Sequence, residues 1–157
     1  MHIYSKNADP YLDNYFLWEY LTSISLPSDE TASVLFGASL DSNDEGYIAV
    51  GAPSLAGDDH SGMAFVFRPN SDLTDWELLA KLTPSDDGRW APSFGSSVAF
   101  DGNLIAVGSP DEQNGKGSVY IFEKTGNTWS ESVKLSPEDT GWVRHQHHII
   151  QSILEIF

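Results

Sequence analysis

Residues 36–40 read Phe-Gly-Ala-Ser-Leu and residues 49–53 read Ala-Val-Gly-Ala-Pro, and the same phrase returns further along the chain. In the second copy, residues 94–98 read Phe-Gly-Ser-Ser-Val and residues 106–110 read Ala-Val-Gly-Ser-Pro. Self-similarity at this period is typical of repeat architectures, in which one unit cannot bury its apolar face alone. The duplicated phrase therefore predicts a chain built from stacked copies of one unit.

Each copy contains four short apolar runs separated by turn residues, a pattern typical of all-β proteins. The runs are residues 36–40, 47–50, 64–67 and 76–82 in the first copy, and 94–100, 104–107, 119–122 and 129–135 in the second. We expect an all-β partial β-propeller of four-stranded antiparallel blades, with about two blades. The glycines of the two Phe-Gly pairs are expected where the backbone closely approaches a neighbouring blade.

The sequence also predicts how the chain is divided before and after the two copies. Residues 18–35, which begin Trp-Glu-Tyr-Leu, are expected to form the outer strand of a preceding blade, after an N-terminal extension at 1–17. The first repeat occupies 36–93 and the second 94–142. Residues 143–157 leave the pattern, and we expect a disordered segment or a short helix there, or a gene model that departs from the repeat after Trp142. The tail also holds His145, His147 and His148, a candidate Zn²⁺ or Ni²⁺ group.

Composition narrows the classes of function. The 157 residues include 8 basic and 23 acidic side chains, so the formal net charge is −15. Such a field repels phosphate backbones and anionic lipid, which disfavours binding to nucleic acid or to a membrane surface. The absence of cysteine excludes disulfides and thiolate chemistry. We also expect neither a membrane span nor a signal peptide within this chain.

The repeated phrases resemble the FG-GAP repeat family, in particular the tandem repeats of bacterial and algal surface proteins. The resemblance covers roughly residues 18–142 and is more distant to the integrin α-chain head. It implies a β-propeller, usually of seven blades, that works extracellularly or at the cell surface in adhesion or ligand recognition. Two blades cannot close such a ring, so the partners expected are further blades or another copy joined through open blade edges, besides a protein or glycan ligand.

The loop Asp-Ser-Asn-Asp-Glu-Gly at 41–46 is the best candidate for a metal site. Oxygen side chains at alternate positions, closed by glycine, suit Ca²⁺, which takes six to eight oxygen ligands. The resemblance implies Asp41, Asn43 and Glu45 as calcium ligands, although the closing acidic position of the family's loop falls on Ala49 here. The alternative is an ordinary polar hairpin loop, since the second repeat has only the Asp-Gly turn at 101–102 in this place.

A second acidic group lies between the second and third strands of each copy. The candidates for a ligand-binding rim are Asp58, Asp59, Asp111 and Glu112. The alternative is a solvated turn, because acidic residues are common in the turns of β-proteins.

Catalytic constellations are not evident. Ser96 and Ser97 follow Gly95 at a strand start rather than at a strand-to-helix elbow, so a hydrolase nucleophile is not indicated. We therefore expect a non-catalytic propeller fragment that acts in extracellular or cell-surface recognition or adhesion. The alternative is a lectin-like or enzyme-attached propeller module that binds a sugar or small molecule through its loops.

Overall fold

The computed structural model describes residues 1–8, 16–28, 34–54, 61–72, 74–85, 91 and 93–136, with the backbone alone at 5–8, 16–19 and 113–114. These residues form ten strands and one single-turn helix, α1 (Glu112–Gly115). The strands are β1 (His2–Ala8), β2 (Phe16–Ser23), β3 (Ser39–Ser42), β4 (Ile48–Ala52), β5 (Met63–Pro69), β6 (Trp76–Leu82), β7 (Ser97–Asp101), β8 (Leu104–Ser109), β9 (Ser118–Thr125) and β10 (Thr128–Leu135). The predicted tail at 143–157 lies outside the described residues.

The strands assemble into one hairpin and two four-stranded antiparallel meanders. Strands β3, β4, β5 and β6 lie side by side in chain order, and β7 to β10 repeat the arrangement. Strand β1 pairs with β2 in a separate two-stranded sheet. The prediction of an all-β partial propeller with four-stranded blades is confirmed, and we call the meanders blade 1 (β3–β6) and blade 2 (β7–β10).

The Phe-Gly pairs lie before strands β3 and β7. The prediction that each pair opens its strand is therefore wrong. Strand β3 begins at Ser39 and β7 at Ser97, because Gly37 and Gly95 adopt φ of +88° and +91°. Positive φ is incompatible with an extended strand, so each glycine forms a turn. In both copies the glycine N–H donates to the carbonyl of the glycine in the Gly-Ala/Ser-Pro phrase: Gly37 to Gly51 and Gly95 to Gly108, each at 3.0 Å. The two halves of the duplicated phrase are thus bonded to each other.

The N-terminal region differs from expectation. Residues 1–17 were assigned to an extension, yet His2–Ala8 forms β1 and pairs with β2, which itself begins at Phe16. The polar run Ser-Lys-Asn at 5–7 masks this strand in the sequence, since it lacks alternation of apolar residues. The N-terminal region therefore forms the β1–β2 hairpin, where a single outer strand was expected.

The joint between the blades is the largest apolar core of the described residues. One face of blade 1 contributes mostly small side chains and one face of blade 2 contributes mostly large ones. The buried members are Ala49, Ala64, Val66 and Leu82 from blade 1, and Phe94, Val98, Phe100, Ile105, Val107, Tyr120 and Phe122 from the second copy, with Ala91 between them. The opposite, aromatic face of blade 1 packs on Met1, Ile3, Ile24 and Leu26 of the N-terminal region.

Glycines let the two copies approach at backbone distance in this joint. A Cβ placed on Gly51 would lie 2.0 Å from the carbonyl oxygen of Gly95, and one on Gly62 would lie 1.9 Å from that of Phe94. A Cβ on Gly95 would in turn lie 2.3 Å from the carbonyl oxygen of Met63. The Phe-Gly turn of the second copy therefore seats directly on the Gly-Ala-Pro strand of the first, which confirms the expected close approach at Gly95.

Candidate functional site

The three predicted calcium ligands lie on strand β3 and in the loop that joins it to β4. Asp41 lies on β3, at the side of blade 1 that faces blade 2. Its Oδ1 accepts the backbone N–H of Ser42 at 2.9 Å, and its Oδ2 accepts that of Phe100 on β7 at 2.8 Å. The carboxylate thus links the inner strands of the two blades. In blade 2 the matching position is Ala99, so this link occurs only once among the described residues.

Asn43 organises the rest of the loop. Its Oδ1 accepts the backbone N–H groups of Glu45 and Tyr47 at 3.1 and 3.0 Å, in the manner of an Asx turn. Its Nδ2 donates to the carbonyl of Gly102 in blade 2 at 3.1 Å. Gly46, with φ of +80°, allows the sharp return into β4. Both ends of the Asn43 amide therefore serve the fold.

Glu45 is exposed, and its closest described cation is the Nζ of Lys124, at 3.9 Å. The same Nζ lies 4.3 Å from the centre of the Tyr47 ring, a cation–π distance. The β3–β4 loop accordingly contacts Lys124 of β9 through Glu45 and Tyr47, and the β7–β8 turn through Asn43. Because these contacts cross the joint between the blades, we call Asp41 and the β3–β4 loop together the strap.

The acidic side chains of this strap do not converge on a cation site. In the described part of the chain, no group of three or more His, Cys, Asp or Glu side chains is placed to hold a metal ion. One oxygen of Asp41 already accepts an N–H from the next blade, and Asn43 Oδ1 accepts two. A calcium ion takes six to eight oxygens, so these side chains would have to be joined by further oxygen ligands. Calcium binding by Asp41, Asn43 and Glu45 therefore stays a prediction.

The predicted rim residues divide into three situations. Asp58 and Asp59 lie outside the described residues. Asp111 is exposed, and its carboxylate accepts the hydroxyl of Ser93. Glu112, at the start of α1, is only 2 % exposed. Glu112 is therefore inside the blade rather than at an exposed rim.

Two residues that the sequence analysis did not single out surround Glu112. The Tyr120 hydroxyl donates to Glu112 Oε2 at 2.7 Å, and the Lys134 ammonium pairs with Oε1. Lys134 Nζ also lies 5.0 Å from the centre of the Tyr120 ring. Burial, reinforced by the hydrogen bond to Glu112, raises the pKa of Tyr120 well above its usual value. We call Glu112, Tyr120 and Lys134 the buried polar triad.

The triad ties the β8–β9 loop to the outer strands of blade 2. The buried carboxylate of Glu112 thus has a hydrogen bond on one oxygen and an ammonium on the other. The triad therefore holds the β8–β9 loop in place, since the Tyr120 phenol stays protonated and both carboxylate oxygens of Glu112 have partners. One sequence signal could have revealed it: Tyr120 occupies the repeat position that Phe65 has in blade 1, and a buried hydroxyl at a core position requires a partner.

Comparison with known proteins agrees with this geometry. Residues 76–122 match the family model of the FG-GAP repeat. The matched stretch runs from β6, the outer strand of blade 1, into β9, so it spans the joint between the blades. No curated protein matches the chain significantly. This chain therefore contains the FG-GAP repeat, carried by a propeller-type module of four-stranded blades.

Proposed function

We propose that this chain acts as a non-catalytic propeller module in recognition or adhesion outside the cell or at the cell surface. The proposal rests on the difference between the residues that the two copies share and the loops in which they differ. The residues shared by the two copies build the blades, and Gly51, Gly62 and Gly95 among them form the joint, whereas the loops differ between the copies.

The shared residues have no room for a ligand. Gly51, Gly62 and Gly95 bring backbone against backbone, and any side chain there would clash. The loops, in contrast, differ in length and chemistry. The five residues 43–47 of the first copy correspond to the four residues 101–104 in the second, where Asp101 and Leu104 pair around a tight turn. A rigid scaffold with variable loops is the usual design of recognition modules.

The polar groups of the described loops support a non-catalytic role. Asp41 and Asn43 bond to backbone of blade 2, and Glu112 is paired inside the fold. A general base needs a pKa near the working pH and access to its substrate. The raised pKa of Tyr120 keeps its phenol protonated near neutrality, so it cannot serve as that base.

Charge indicates the chemistry of the ligand. With a net charge of −15, the surface attracts cationic protein patches and metal-bridged glycans, and repels nucleic acid. Within the residues that the structure describes, no helix is long and apolar enough to cross a membrane. We therefore propose a protein or glycan ligand that meets the loops.

The test is adhesion of protein-coated beads to arrays of glycans and of extracellular proteins, with Ca²⁺ and with chelator. The informative variant replaces residues 43–46 by Asp-Gly-Asn, the sequence of the second copy at 101–103, and the matched control shortens the β5–β6 turn between Pro69 and Trp76. Specific binding that falls at least tenfold in the first variant and persists in the control supports the proposal. Binding to no ligand on either array contradicts it. Glycan binding lost on Asp58→Ala and Asp59→Ala substitution would instead support the lectin-like alternative.

A further inference from the structure

The β1–β2 hairpin has the register of the outer half of a blade. In β5–β6 the pairing skips one residue between Val66 and Phe67, and in β9–β10 it skips one between Ile121 and Phe122. The β1–β2 pairing skips one at the same place, between Ile3 and Tyr4. In all three hairpins a tryptophan pairs with the third residue beyond the irregularity: Trp18 with Lys6, Trp76 with Pro69 and Trp129 with Lys124.

Burial follows the same equivalence. Ile3 matches Val66, and each packs against the blade that follows it in the chain. Ile24 matches Leu82, and the two are 4 % and 2 % exposed. One face of the hairpin is thus used as blade 1 uses its own face toward blade 2.

The other face of the hairpin carries matched positions with a different environment. In blade 1, Phe65 and Phe67 meet the ring of Phe36 edge-on, at centroid distances of 5.7 and 6.1 Å. In blade 2, the equivalent pair meets Phe94 at 5.2 and 6.1 Å. Each complete blade therefore seats the phenylalanine of its own Phe-Gly turn on two aromatic rings of its third strand.

His2 and Tyr4 are the matching pair on β1, and both are exposed, Tyr4 by 52 %. Tyr20, 58 % exposed, contacts both rings, at 5.9 and 6.0 Å. Among the described residues no Phe-Gly turn covers this pair, and β2 is the sole strand paired with β1. The hairpin thus presents both an aromatic seat and the β1 edge to which a second strand pairs in each complete blade.

We propose that the β1–β2 hairpin is completed into a full blade by the inner two strands of another repeat, whose Phe-Gly phenylalanine seats on His2 and Tyr4. The occupant is a β-hairpin of the β7–β8 kind, with Phe-Gly before its first strand and Ala-Val-Gly along its second. Its second strand pairs with β1 as β4 pairs with β5. This inference rests on blade geometry and does not depend on the ligand that the loops recognise.

The test grafts residues 94–110 onto the N-terminus of the full chain. A Gly-Ser linker of ten residues matches the segment 53–62 that joins β4 to β5. Tethering raises the effective concentration into the millimolar range, so a weak pairing becomes visible. The readout is amide hydrogen exchange of His2–Ala8, which we expect to slow at least tenfold relative to the ungrafted chain.

Two matched controls isolate the aromatic seat. The graft with Phe94→Ala in the added copy, and the intact graft on a Tyr4→Ala chain, are each expected to lose most of the slowing. Exchange in β5 and β9 should stay unchanged, which shows that the exposed Tyr4 is dispensable for folding. Slowing of β1 accompanied by dimerisation in light scattering supports the same pairing between two molecules. Unchanged exchange of β1 in the intact graft overturns the proposal, and so does equal slowing with Phe94→Ala.

Discussion

Gly37 and Gly95 are the same residue of the duplicated phrase, and their local structure is the same. Their φ angles are +88° and +91°, and each N–H donates to the matching glycine carbonyl at 3.0 Å. Their surroundings differ. A Cβ on Gly37 would meet no described atom within 4 Å, whereas one on Gly95 would meet Met63 O at 2.3 Å and Ala52 N at 2.9 Å. The repeat thus encodes a turn, and the neighbouring blade makes that turn sterically obligatory.

The largest expected effect comes from Gly95→Ala compared with Gly37→Ala. Both variants place an L-residue at positive φ, which costs about 1 kcal/mol. Gly95→Ala must in addition push apart the two blades, so we expect a loss of at least about 4 kcal/mol in the free energy of unfolding. Urea denaturation of the two variants measures both values. Equal losses in the two variants would show that the inter-blade contact at Gly95 is not limiting.

The next comparison concerns the matched leucines at the ends of the outer strands. Leu82 is 2 % exposed because blade 2 covers it, while Leu135 is 40 % exposed. We expect Leu82→Ala to cost about 3 kcal/mol through lost burial and a cavity. Leu135→Ala should cost below about 1 kcal/mol. Thermal unfolding of both proteins tests the difference, and a larger effect at Leu135 would contradict the assignment of the covered face.

The buried polar triad distinguishes the aromatic core positions of the two blades. Glu112→Gln removes the charge that compensates Lys134 and weakens the acceptor of Tyr120, so we expect a loss of about 2 kcal/mol. Glu123→Gln on the exposed side of β9 is the matched control, with an expected change within about 0.5 kcal/mol. Chemical denaturation near pH 7 measures the change in the free energy of unfolding for both variants. If Glu112→Gln left the free energy of unfolding unchanged, the triad would contribute nothing net to stability.

Alkaline pH probes the same triad. Tyr120 has a folded-state pKa raised above the usual value of about 10, so above that pH the folded protein holds a proton that the unfolded chain has lost. Stability is therefore complete below about pH 10 and falls above it, by up to about 1.4 kcal/mol per pH unit. Tyr120→Phe should flatten this part of the stability–pH curve. An identical alkaline slope in wild type and variant would disprove the assignment.

The smallest expected effect concerns the link from Asp41 to Phe100. Asp41→Ala removes one charge-assisted hydrogen bond between the blades, for an expected loss of about 1 kcal/mol. Asp44→Ala, in the same loop and exposed, removes an equal charge and should change stability by less than about 0.5 kcal/mol. Melting curves recorded at high salt separate the bond from general charge effects. If the two variants behave alike, Asp41 is not a strap residue.

The sequence was sufficient for the fold class because duplication doubles every local signal. The strand β6 was predicted at its observed bounds, and the blade meander followed from four apolar runs per copy. The start of β3 was misplaced because the Phe-Gly turn needs positive φ, which a run of apolar letters does not reveal. Strand β1 was missed because its polar residues gain strand structure only by pairing with β2.

The candidate sites were less accessible to sequence reasoning. Acidic residues in turns predict a cation or a rim from type and spacing alone, and spacing does not fix where a carboxylate points. Asp41 turns to a backbone N–H of the next blade, and Glu112 turns into the blade interior. Both choices depend on partners 59 and 8 residues away, Phe100 and Tyr120.

The sequence by itself determined the unit, with four strands per copy and a strand that ends at Gly-Ala/Ser-Pro, because apolar periodicity and the steric limits of proline act within a few residues. Tertiary structure alone decided which copy of each shared residue is constrained. Gly95 and Leu82 lie in a joint that Gly37 and Leu135 do not share. The reason is physical: a repeat encodes identical surfaces, and close packing acts only where another surface is pressed against them.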